Sequence, residues 1–369
     1  SQVSGGEEYA DAKNLLFYDQ IAALKWVQKN IAAFGGDKDN ITIMGDNSGG
    51  TCVLYLPLME EAKGLFKRVI SISSFPCFYT NNKLSQKLTS NIGKYLHVRD
   101  MDGFRQLTEE QLIDAENKFL YQLNAPCFES LIKENIFDAY AHGAAKDIEL
   151  ILGSNKEEFN LLVANGGKNK ADQISEVIRN FIVAHIRQED LPIFQEFMES
   201  VNNDFRQFFN YMVVHMPLLK IAQNHSRAGN VARYFHWGVG SPVKEFGVFS
   251  AIEVPYILKT GSKAEKYAIL GDDFTGELLQ KMLVQFIKGE NPSLKGGMVQ
   301  HNQAIDWPPF KDDQLPVLYF EDGAVLDDGG IIKKSELIDK ILANNPDLLD
   351  DYYQYLSDIY YKMYGNDYN

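Results

Sequence analysis

Residues 14–50 read NLLFYDQIAALKWVQKNIAAFGGDKDNITIMGDNSGG, and the way this stretch is punctuated decides the fold. Ile21, Leu24, Val27 and Ile31 recur at helical spacing, so its first half predicts an amphipathic helix over residues 14–32. Gly35 and Gly36 stop that helix. The β-branched run Ile41-Thr42-Ile43-Met44 then predicts a short buried strand. It ends in Gly45-Asp46-Asn47-Ser48-Gly49-Gly50, and an apolar helical stretch starts at Thr51. A strand, a glycine-flanked apex and a helix make the frame of a nucleophile elbow, in which the apex residue is held at positive φ. The apex here is Asn47. Asparagine is one of the few non-glycine residues that tolerate left-handed backbone, so the frame keeps its shape with an amide at the attacking position.

Outward from this stretch, Leu65–Ser71, Glu149–Gly153, Val231–Trp237 and Leu315–Phe320 read as further strands. Long helical patterns occupy 174–228 and 273–288, and the tail from Lys333 is helix-like before it turns Asp- and Tyr-rich from Asp347. Strands alternating with helices predict an α/β fold with a largely parallel sheet covered on both faces. Gly166-Gly167-Lys168 and Gly296-Gly297 read as turns within loops. The whole chain, 1–369, is read as a single domain.

The chain has 36 Lys and Arg against 50 Asp and Glu, a net charge of −14, and this acidic balance disfavours nucleic acid and anionic membranes as partners. No apolar run approaches a membrane span. Cys52, Cys77 and Cys127 are too few for a disulfide scaffold and have no metal or redox spacing, and the odd one is available to bridge to another chain. Their pairing stays open. The histidines (His97, His142, His185, His215, His225, His236 and His301) show no ligand spacing, so neither a metal nor a cofactor is expected. His215 and His236 lie in apolar segments and read as packing residues. Asn40 and Asn224 head glycosylation sequons, whereas Pro292 spoils the one at Asn291.

The stretch 14–50 resembles the carboxylesterase type B, cholinesterase-like family of the α/β-hydrolase fold. Asp19, Gln20, Ala23, Leu24, Trp26, Val27, Asn30, Ile31, Phe34, Gly35, Gly36 and Asp37 fall in that family's pattern before its Gly-Glu-Ser-Ala-Gly-Gly elbow. LFKRVISISS, NHSRAGNVARYFHW, MLVQFIKGENPS and Trp307-Pro308 are similar to later family segments. Ile151-Leu152-Gly153-Ser154-Asn155-Lys156-Glu157-Glu158 resembles the segment carrying the acid of the triad, which places that acid at Glu158. Gly247-Val248-Phe249-Ser250-Ala251-Ile252-Glu253 resembles the Gly-x-x-His-Gly-x-Glu segment, which places Ser250 where the family keeps its catalytic histidine. The elbow also differs from the Gly-Asp-Ser-Gly-Gly of trypsin-like proteases by the inserted Asn47.

The family activity implied by the resemblance is carboxylic-ester hydrolysis, and two of its three catalytic positions are filled by residues unable to carry it. An amide at Asn47 has no proton whose removal makes it a good nucleophile, and a hydroxyl at Ser250 does not accept a proton near neutral pH. Glu158 alone orients nothing; it reads as a relic held by local hydrogen bonds, or protonated if buried beside no cation. Ser48 reads as a small residue packed under the elbow. The degenerate positions Asn47, Glu158 and Ser250 therefore resemble those of neuroligin- and neurotactin-type members, which lack the triad. The chain is expected to act as a noncatalytic, secreted or extracellular glycoprotein serving as an interaction or assembly module. A carrier of an apolar ester or lipid in a retained gorge, and a residual hydrolase with a rearranged centre, are the alternatives. The sequence enters the family pattern only at the helix before the elbow, so the functional molecule is expected to include an N-terminal fragment or companion chain of the same fold.

Overall fold

The computed structural model describes residues 14–77, 82–123, 134–260, 273–295, 304–311, 314–321, 323–327, 330–346 and 348. The chain divides into two compact units. One comprises Leu24–Pro76 with Ile136–Asn345, the other Ser1–Ala23 with Cys77–Asn135 and Pro346–Asn369.

The larger unit is built on a sheet of β1 (Thr42–Asp46), β2 (Arg68–Ile72), β3 (Glu149–Asn155), β4 (Ala232–Trp237), β7 (Val317–Phe320) and β8 (Ala324–Asp327), in that spatial order. β5 (Ser293–Leu294) and β6 (Ile305–Asp306) form a separate antiparallel pair. β1 to β4 and β7 run parallel, and only β8 pairs antiparallel. Every residue of β2 and β4 is buried, as expected of central strands with helices on both faces. The register sets Ile70, Ile151 and Arg233 side by side, then Ile72, Gly153 and Phe235. A Cβ at Gly153 would run into the Phe235 ring, so glycine there lets that ring lie across β3. Phe235 and Trp237 join Leu279, Met282 and Phe286 in the apolar core.

The strand readings agree with the observed strands except in burial and ends. Ile41–Met44 does form β1, but none of its residues is buried, because β1 is an end strand and, among the described residues, nothing pairs with its other edge. The short antiparallel β8 had no signal beyond its turn. The predicted first helix is α1 (Leu15–Asn30), closed by a 3₁₀ turn at Ile31–Phe34 and by Gly35 at φ 81°. α2 (Ser48–Tyr55) follows the elbow. In the smaller unit α3 (Asn82–Tyr95), α4 (Met101–Arg105) and α5 (Glu109–Leu123) follow one another, with the Tyr95 and Phe119 rings of α3 and α5 meeting edge to face at 5.9 Å.

Back in the larger unit come α6 (Ile136–Ala141) and α7 (Leu161–His185). Gly166 and Gly167 lie inside α7 and not in a loop; the helix-forming residues on either side outweigh a cost of about 1 kcal/mol per glycine. The patterned stretch up to 228 contains α8 (Leu191–Ser200), α9 (Phe205–Asn210), a π-turn at Tyr211–His215 and α10 (Met216–Arg227). α11 (Val254–Ile257), α12 (Asp273–Ile287) and α13 (Gly330–Asn344) complete the described helices. Gly296-Gly297, Cys127, His301 and the Asp- and Tyr-rich stretch from Asp347, Leu348 apart, lie outside the described residues.

Candidate functional site: a buried acidic cluster at the strand ends

The carboxyl ends of β1, β2 and β3 converge on one place, where parallel sheets build their sites. At the end of β1 the chain turns sharply into α2 through Asn47, at φ 53° and ψ −118°. The turn is held on both sides: Asn47 N–H donates to Ile72 O at 2.9 Å, and Asn47 O accepts from Thr51 N–H at 3.0 Å. Such tightness demands glycine at Gly45, where a Cβ would collide with the Gly49 carbonyl, and at Gly50, where it would stand 2.7 Å from Ile72 O. Asn47 thus occupies the strained apex. Ser48 opens α2 as an exposed residue and is not packed under the turn; the buried residues of the first turn are Gly50 and Thr51.

Beside the apex, Ser73 continues from β2 at φ 51°, its N–H bonded to Gly153 O at 2.8 Å. The last residue of β3, Asn155, donates from Nδ2 to Ser73 Oγ (3.0 Å) and to Glu253 Oε2 (2.7 Å). Asn155 N–H donates to Glu158 Oε1 at 2.6 Å. Ser250 N–H donates to the Glu158 carbonyl at 3.2 Å, so the segments carrying these two residues are joined through the main chain. Both side chains are buried. Glu158 Oε2 and Ser250 Oγ each lack a hydrogen bond, as do Glu253 Oε1 and Asp46 Oδ1.

Three carboxyl groups, those of buried Glu158 and Glu253 and of half-buried Asp46, therefore lie close enough to act on one another, and no described lysine, arginine or histidine pairs with them. Burial pushes Glu158 up to about 8; the Asn155 N–H and the nearby hydroxyls of Ser73 and Ser250 oppose this, while Asp46 adds to it. Burial also pushes Asp46 up to about 7, against the Asn47 backbone N–H. Glu253 lies well above the usual carboxylate range through burial and through its two acidic neighbours. Desolvation and like-charge repulsion act in the same sense, so Glu158 and Glu253 are held largely protonated at neutral pH and Asp46 partly so. Glu253 and Asn155 had no assigned role in the sequence. The available signal was an acid inside the apolar run FGVFSAIEVPYI.

The imidazoles are engaged elsewhere. Ser154 Oγ bonds His236 Nδ1 (2.9 Å), His215 Nδ1 (3.0 Å) and Tyr234 OH (2.6 Å) in a fully buried group. Burial drives His236 down to about 3 and His215 well below its ordinary range, so both rings are neutral. His225 Nε2 bonds Ile148 O at 2.7 Å. Among the described residues no group of histidine, cysteine and carboxylate side chains is placed to hold a metal. Cys52 and Cys77 are buried, and burial pushes the Cys77 thiol up to about 12, far from a reactive thiolate at neutral pH. Of the sequon residues, Asn224 lies in α10 with Nδ2, the atom that would carry a glycan, already donating to Phe137 O at 2.9 Å. Asn40 engages Arg68 through Oδ1 and keeps Nδ2 out of that bond.

A family model described as the carboxylesterase family matches residues 5–328. The chain belongs to that family. This carboxylesterase-family protein is 25% identical over 336 residues to the para-nitrobenzyl esterase of Bacillus subtilis, covering 86% of this chain and 65% of the relative. The chain thus spans less than two thirds of that relative's length. A local match to neuroligin-3 of Mus musculus reaches 36% identity over 121 residues, 31% of this chain and 14% of neuroligin-3. Its fold superposes on the carboxylesterase of Geobacillus stearothermophilus with a TM-score of 0.74 at 23% identity, covering 90% of this chain and 71% of that one. The α/β-hydrolase fold expected from the sequence, a mostly parallel sheet flanked by helices, is the fold observed.

Proposed function

We propose that this carboxylesterase-family protein is noncatalytic and serves as an extracellular interaction or assembly module, in company with a fragment or partner chain of the same fold. One observation carries the reading: the strained apex of the elbow presents the amide of Asn47, and the acid nearest to it by family position, Glu158, is buried, largely protonated and bonded to a backbone N–H in place of an imidazole. Acyl transfer requires a nucleophile with a base in reach and an ionised group to orient that base. Asn47, Ser250 and Glu158 supply none of these. The local likeness to neuroligin-3 agrees with the triad-deficient resemblance in the sequence. Among the described residues no helix is long and apolar enough to cross a membrane.

Incubation of the purified chain with a simple aryl ester and with an organophosphate probe tests the reading. Turnover at the buffer rate and an unmodified intact mass are expected. A covalent adduct on any serine, Ser48 above all, would overturn it. Native purification that yields a stoichiometric protein complex, with no small molecule extracted from it, separates the module from a carrier.

A further inference from the structure

Ser154, the last but one residue of β3, is enclosed with His215, His236 and Tyr234 in a group of which no member is more than 4% exposed. Its hydroxyl oxygen faces three partners at 2.6–3.0 Å, and a hydroxyl donates one proton and accepts two. Tyr234 donates to it, because a phenol that accepted there would bury its own proton with no acceptor among the described residues. One imidazole then donates to Ser154 and the other accepts from it, so the rings are opposite tautomers. His215 Nε2 is buried without a hydrogen bond. A bare lone pair is tolerated there better than an orphaned N–H, so His215 carries its proton on Nδ1 and His236 accepts at Nδ1. A further proton finds no place. On His215 Nε2 it makes a buried N–H with no acceptor; on His236 Nδ1 it turns the acceptor of the Ser154 proton into a third donor.

Among the described residues no carboxylate hydrogen-bonds either ring. The charged groups acting on them are Lys334 of α13, on both, and Lys156 beyond β3, on His236. Lys156 pairs with Glu321, Lys220 of α10 with Asp339 of α13, and Arg206 of α9 with Asp204, while His225 of α10 is bound to Ile148 O. The remaining titratable neighbours are the Tyr211 ring, 4.6 Å from His215, the β7 Tyr319 ring, 5.2 Å from His236, and Glu158, which acts on Tyr234 and is itself largely protonated. His215 ends the π-turn Tyr211–His215, a winding that is rare in helices and frequent at functional sites. We propose that Ser154, His215 and His236 form an acid-sensitive latch: with both rings neutral they hold the π-turn against the ends of β3 and β4, and in mild acid His215 leaves Ser154 and the turn comes away. Released, each imidazole regains its ordinary value of 6.5, whereas enclosure holds His236 down to about 3 and His215 well below 6.5. The closed latch is therefore favoured in full above about 6.5 and loses ground as pH falls, by up to about tenfold in the opening equilibrium per pH unit for each proton taken up. The raised carboxyls of Asp46 and Glu158 act in the opposite sense over this range, so a loosening in acid belongs to the imidazoles.

Hydrogen exchange of the full chain, read by mass spectrometry at about pH 7.5, 6.5 and 5 and corrected for the intrinsic rate, tests the latch. Between about pH 6.5 and 5, protection of the amides of 211–227 is expected to fall by about tenfold or more relative to those of α12 (Asp273–Ile287). His215→Asn keeps a donor near the Nδ1 position and His236→Asn an acceptor, and neither replacement titrates. In each variant the fall is expected to be smaller than in the parent by about threefold or more. Protection at 211–227 that holds steady in the parent overturns the proposal, and so does a fall in step with α12, since opening is then global. A fall undiminished in both variants overturns it as well. Should both variants misfold, the comparison of the two segments in the parent still decides. No ester and no partner enters this measurement, so it fails independently of the turnover assay.

Discussion

Asn155 donates from Nδ2 to Glu253 Oε2 at 2.7 Å, while the other carboxyl oxygen, Oε1, is buried without a hydrogen bond. The same amide nitrogen also serves Ser73, and the Asn155 backbone N–H serves Glu158. One residue at the end of β3 therefore links the segments that follow β2, β3 and β4. It does so in a region where polar groups have few alternatives.

Asn155→Leu removes both side-chain bonds and strands Glu253 and Ser73 without a donor. Each buried unsatisfied group costs about 1–3 kcal/mol, so a clear drop in the urea midpoint is expected. Asn155→Asp adds a fourth acid to the cluster and is expected to be worse at pH 8 than at pH 6. A midpoint equal to that of the parent in both variants would show that water already satisfies these groups.

The acidic cluster sets a pH dependence whose sign follows from its raised carboxyls. Unfolded, these groups ionise near their ordinary values of 3.8 and 4.5; folded, Asp46 keeps its proton to about 7 and Glu158 to about 8. Between those values the folded state binds more protons, so stability falls as pH rises from about 4.5 to about 8, by at most about 1.4 kcal/mol per pH unit for each proton held. The buried histidines interfere little toward the upper end of this range, because His225 and His236, lowered to about 4 and about 3, are neutral when folded and mostly neutral when unfolded above their ordinary 6.5. Below 6.5 they act in the opposite sense, and their stabilisation is lost as pH falls. Denaturation midpoints measured across pH 6.5–8 should decline for the parent and decline less steeply in Glu158→Gln. Equal slopes would remove Glu158 from the account.

Two neighbouring glycines give a matched pair. A Cβ at Gly45 would collide with the Gly49 carbonyl, whereas one at Gly49 meets nothing within 4 Å. Gly45→Ala is expected to lose several kcal/mol or to fail to fold, since backbone must move at the elbow. Gly49→Ala should match the parent or exceed it by up to about 1 kcal/mol, the helix preference of alanine over glycine. Thermal melts of the two variants check this, and similar losses in both would contradict the elbow geometry.

Ser154→Ala takes the shared partner from two imidazoles and a phenol at once. A loss of about 1–3 kcal/mol in urea unfolding is expected.

Much of this was legible in the amino-acid order. Ile41–Met44, Glu149–Gly153 and Val231–Trp237 are short runs rich in apolar residues, and such runs become parallel strands of one sheet because that arrangement satisfies their backbone. The glycines around Asn47 announced the elbow, since steric exclusion at Gly45 and Gly50 is local and survives any change of surroundings. The identities of the residues at 47, 158 and 250 were also readable without coordinates.

Other features belong to tertiary structure alone. Asp46, Glu158 and Glu253 are far apart in sequence, and only the order of β1 to β4 in the sheet brings their carboxyls together, where burial and mutual repulsion raise them. The local sequence of β1 marks it as apolar but does not say whether a neighbour covers it; that depends on its place at the end of the sheet. Chain-local sterics and periodicity set which segments become strands, while burial and charge state depend on what lies beside them in space, and that is why only the folded molecule decided them.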